Sequence, residues 1–157
     1  MSVVPMVWEE HPDHASRMEL AGGAGEWLEV RHLGGRPAPG WRIESRLNGS
    51  HYRLPGVFPT RAAAQGSALL LAMRLCPALR GELQAALGLV PGAWWWSITP
   101  FDDPTGARVV CSSWVADSLD AAERSGRAAG AGSRLVVYGP GGASRDCGVV
   151  GRSAGAR

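Results

Sequence analysis

The dipeptide Asn48-Gly49 sits between two alternating segments, and few two-residue signals restrict a chain more. Both residues tolerate the positive φ of a type I′ turn, so residues 41–47 (WRIESRL) and 50–54 (SHYRL) are predicted to pair as a hairpin. In the first arm Trp41, Ile43 and Leu47 alternate with Arg42, Glu44 and Arg46, the period of a half-buried strand. Residues 26–33 (EWLEVRHL) alternate in the same way, and the breaker-rich residues 34–40 join them to the hairpin. Thr60 offers the hydroxyl of a helix N-cap. Residues 61–76 follow as a predicted helix with Ala64, Ala68, Leu71 and Leu75 on one stripe, stopped by Pro77.

The order then restarts. Residues 78–87 read as a short helix ending at Gly88, and residues 94–99 (WWWSIT) read as a strand. Residues 101–106 form a turn, residues 107–115 a strand, residues 118–129 a helix, and residues 134–138 a last strand. Trp41-x-Ile43 matches Trp96-x-Ile98, and Gly49 matches Gly106. Thr60-x-x-x-Ala64-x-x-Ser67 matches Ser118-x-x-x-Ala122-x-x-Ser125, so an internal repeat is expected. The predicted fold class is α+β: two tandem three-strand-plus-helix repeats with antiparallel sheets. The expected division is an N-terminal segment (1–25), repeat one (26–76), a short helix and linker (77–93), repeat two (94–138) and a flexible tail (139–157). The tail's Gly, Ser, Ala and Arg cannot bury much surface.

Trp41-x-Ile43, Asn48-Gly49 and the stretch from Phe58 through Thr60 to Ala64 resemble the YegP-like repeat of small bacterial proteins. In the second half Trp96-Ser-Ile98, Gly106 and Ser118-x-x-x-Ala122 carry the same resemblance, which spans residues 26–129. It implies the fold and brings no established activity with it. The order of three strands and a helix, entered through Gly56-Val-Phe58-Pro-Thr60, is also similar to the arm-type, AP2-like DNA-binding domains of integrases. That resemblance implies a binding module without a recombinase catalytic region.

Apolar residues make up 45% of the 157, and seven tryptophans run from Trp8 to Trp114, so a packed core is expected. All 16 basic residues are Arg, as a GC-rich codon usage would give, so Arg abundance alone does not signal nucleic acid. The charge is blocked: residues 1–29 are acidic, and residues 31–80 carry Arg31, Arg36, Arg42, Arg46, Arg53, Arg61, Arg74 and Arg80 against Glu44. The N-terminus has no basic start with an apolar stretch and cleavage site, and no apolar run approaches the roughly 20 residues of a membrane helix. Three cysteines without a Cys-x-x-Cys fit reduced thiols. A cytoplasmic location without membrane association follows as the expectation.

His11-Pro-Asp-His14 lacks the further ligands that a metal site needs and reads as a loop. Asp102-Asp103 falls in a Pro/Gly turn, where Asp is favoured for backbone hydrogen bonding. Gly139-Pro-Gly-Gly142 lacks the Gly-Lys-Ser/Thr ending of a phosphate loop. No serine or cysteine has a locally suggestive base. The expectation is a protein that is not an enzyme and holds no cofactor or metal.

Two surfaces remain. Trp95 should point away from Trp96, to a face covered by the other repeat or by a second subunit, or left open as a stacking platform. Arg31, Arg42, Arg46, Arg53 and His51 should project from the sheet face opposite the helix, where arginines can hold phosphates and read guanine edges. The alternatives are a solvated face and an interface with the acidic N-terminal segment. A non-enzymatic cytosolic binding or protein-interaction module, with a homodimer or another protein as the partner, is the leading reading. A nucleic-acid-binding protein is the alternative.

Overall fold

The computed structural model describes residues 6–11, 15–20, 25–33, 40–54, 56–103, 105 and 108–151. It is an α+β protein with two antiparallel sheets, of five and four strands. The first sheet runs in chain order: β1 (Glu9–His11), β2 (Ala15–Glu19), β3 (Trp27–Leu33), β4 (Gly40–Leu47) and β5 (Ser50–Arg53). Asn48 and Gly49 adopt φ of 52° and 78°, closing the β4–β5 hairpin as their chemistry requires. Two strands, β1 and β2, form within the segment expected to precede the repeat.

Helix α1 (Arg61–Leu75) packs on β3 and β4, its first turn capped by Thr60, whose hydroxyl accepts from Ala63 N at 3.1 Å. The expected single stripe on α1 is corrected: every residue from Ala64 to Met73 is buried. The helix is sandwiched, because the second sheet covers the side that the first leaves open. Gly66 marks the closest approach, since a Cβ there would lie 2.6 Å from Val115 Cγ1. One position on, Ser67 Oγ accepts from Val115 N at 3.3 Å.

After a 3-10 turn (Pro77–Leu79), α2 (Arg80–Gly88) leads to β6 (Trp95–Pro100) and the short β7 (Val110–Cys111). Helix α3 (Leu119–Ala129) is capped by Ser118, and β8 (Ser133–Tyr138) and β9 (Ser144–Val149) complete a sheet ordered β7-β6-β8-β9. The flexible tail expected from residue 139 is corrected across its described part. Pro140–Gly142 form a 3-10 turn and β9 pairs antiparallel with β8. β9 escaped notice because it is an edge strand whose side chains stay largely exposed, so its sequence need not alternate. Residues 152–157, Gly106 and His14 lie outside the described residues.

Some pairings recur in the two halves. Trp41 and Phe58 exchange two backbone hydrogen bonds (2.9 and 2.8 Å), as do Trp94 and Ala116 (3.1 and 2.7 Å). Leu54 N donates to Ile43 O, and Ser112 N donates to Trp96 O. Val30 faces Ile43 across β3–β4 as Val137 faces Trp96 across β8–β6. In these pairings Trp94 stands where Trp41 does and Trp96 where Ile43 does, one alternation from the Trp41–Trp96 match read in the sequence. Connectivity differs as well: the outer hairpin β2–β3 precedes the helix in one half, whereas β8–β9 follows it in the other.

The layers are sheet, α1 with α2, sheet, and α3. The larger core joins Met18, Leu28, Val30, Ile43 and Leu47 to α1, α2, Trp95 and Cys111. The smaller one joins Trp96, Leu135 and Val137 to Ala122 of α3. Trp41, on the inward face of β4, is less buried than Trp96. It is only half-buried, at the rim of the larger core, with Arg61 5.1 Å above its ring. No single described helix is long and apolar enough to cross a membrane.

Candidate interaction surface

Strand alternation sends Leu28, Val30, Ile43 and Leu47 to the core, so their neighbours form the outer face of the first sheet. Register lays these neighbours in rows across the strands. One row runs Glu9, Arg17, Glu29, Glu44, Arg53 from β1 to β5. A second runs Glu19, Trp27, Arg46, His51 from β2 to β5. A third runs His11, Ala15, Arg31, Arg42 from β1 to β4. The arginines and His51 expected on this face are all there.

The structure adds what pattern reading missed: β1 and β2 widen the face with Glu9, Arg17 and Glu19, and Trp27 stands near its centre. Arg17 lies 4.4 Å over the half-buried Trp27 ring, and His51 is 5.8 Å from it. Ser16 faces the core, so Ala15–Glu19 shows no clean alternation of polarity, which hid β2.

Carboxylates answer much of the positive charge. Glu44 holds Arg53 at 3.1 Å and His51 Nε2 at 3.3 Å, Glu29 holds Arg31 at 3.4 Å, and Glu19 holds Arg17 at 2.9 Å. Arg42 and Arg46 have no ion pair among the described residues. The face is a mosaic of both signs around a tryptophan, rather than a uniform basic field.

Trp95 is 2% exposed and stacks on Tyr138, ring centroids 4.3 Å apart at 17°. The first half of the chain covers it, one of the alternatives expected for that position. Beside the stack, an uncharged cleft of about 590 Å³ lies between α2 and the Pro140–Gly142 turn, lined by Gln84, Gly88, Gly141 and Ser144 among others. This is where the Gly139-Pro-Gly-Gly142 stretch sits.

Asp103 is buried in its turn, accepting from Thr105 Oγ1 at 2.8 Å and Arg108 N at 2.7 Å, and Arg108 reaches Asp102 at 2.8 Å. Burial pushes the Cys76, Cys111 and Cys147 thiols up; Glu26 adds to this at Cys76 and Glu123 at Cys147. Among the described residues no cluster of three or more His, Cys, Asp or Glu could hold a metal ion.

Comparison of the chain with family models, curated proteins and solved structures returned no match.

Proposed function

We propose that the chain is a non-enzymatic interaction module whose outer sheet face binds a second copy of itself. The order of charge across the face carries this reading. When two copies meet about a two-fold axis along β3, β1 of one faces β5 of the other, and β2 faces β4. Glu9 then meets Arg53, Arg17 meets Glu44, Glu19 meets Arg46, and Trp27 meets its own counterpart. An isologous interface needs such a self-complementary patch. Tryptophan with arginine neighbours is also the composition of energetic centres in interfaces. Glu29 and Arg31, which would meet themselves on the axis, are already paired with each other within each copy. The same reading takes the two halves as diverged copies of one strand-and-helix unit of the YegP-like kind, serving as a scaffold.

Sedimentation velocity on the wild type, Arg46→Glu, Glu19→Arg and the double variant tests it. The wild type is expected to self-associate, each single reversal to weaken association by about tenfold or more, and the double variant to recover. A wild type that stays monomeric at every concentration, or a double variant no better than the singles, overturns the reading.

That Arg42 and Arg46 have no ion pair among the described residues, with Arg46 directly across from Trp27, favours a second reading, nucleic-acid binding. Each phosphate contact on duplex DNA contributes about −0.9 to the slope of log K against log salt. Changing both arginines to Ala would flatten that slope by about 1.8. No gel shift by micromolar protein at low salt removes this second reading.

A further inference from the structure

We draw no further inference here: the strongest candidate, the uncharged cleft between α2 and the Pro140–Gly142 turn beside the Trp95–Tyr138 stack, holds none of the buried side-chain atoms that lack a partner among the described residues, and nothing in the structure shows what covers it.

Discussion

Trp95 and Trp96 are neighbours on β6 that serve different cores. The Trp95 ring stacks on Tyr138 within the larger core, and the Trp96 ring packs with Ala122 and donates from Nε1 to Ser125 Oγ at 3.0 Å. One strand thus ties both helical layers together. Trp95→Ala and Trp96→Ala should each cost about 3–5 kcal/mol, the usual loss for a buried tryptophan. Trp41→Ala, at a half-buried rim position, should cost clearly less. Urea unfolding of the three variants measures the ordering, and a Trp41 loss equal to that of Trp95 would contradict the layering described here.

The paired helix caps give a second test. Thr60 and Ser118 each accept from a first-turn amide, Ala63 N and Ala121 N, at 3.1 Å. Alanine at either position should lower stability by about 1 kcal/mol, and glycine by only a few tenths. Denaturant midpoints at unchanged m-value report this directly; equal losses for alanine and glycine would deny the caps their role.

Two helical glycines should respond to alanine with opposite signs. At Gly126 a Cβ would lie 2.4 Å from Leu135 Cδ1 and 3.2 Å from Trp96 Cγ, so Gly126→Ala should overpack the smaller core. The expected loss is about 1–3 kcal/mol. At Gly81 a Cβ meets nothing within 4 Å, so alanine there should add up to about 1 kcal/mol of helix propensity. Thermal melts of both variants suffice; stabilisation by Gly126→Ala would mean that α3 stands further from β8.

The edge strand β9 supplies the pH test. Hydrogen bonding from Arg134 and then from the Gly148 N–H holds the Asp146 carboxyl below its usual range. A carboxyl depressed in the folded state stabilises above its unfolded pKa, and the effect is lost as pH falls through the folded value. Amide protection factors along β8 and β9 should therefore drop on acidification in the wild type and stay flat in Asp146→Asn. Amides of residues 144–149 without protection even at neutral pH would return this segment to the flexible tail that its composition suggests.

The elements that could be read from sequence were those whose signal is local. Asn48-Gly49 specifies its turn because few other residues accept that backbone, and Thr60 and Ser118 announce helix starts because a hydroxyl satisfies an orphan amide. Alternation placed Arg31, Arg42, Arg46, Arg53 and His51 together on one face. The strands β1, β2 and β9 were hidden: β1 and β9 are edges with exposed side chains, and β2 turns Ser16 inward among apolar residues.

The sequence alone determined which faces of β3, β4 and β5 look inward, where α1 and α3 begin, and that arginines line the outer face of those three strands. Register, covering and partnership were left to the tertiary structure. A period of two cannot distinguish Trp94 from Trp96 as the counterpart of Trp41, because both lie on the same face; only the Trp94–Ala116 hydrogen bonds decide it. Nor does helical periodicity reveal that α1 is covered on both sides, since that depends on a sheet formed by residues far along the chain. Of the carboxylates that answer charge on the arginine face, Glu19 comes from β2, a strand that no alternation announces. Each of these follows from contacts between segments distant in sequence, whose free energy no local pattern records.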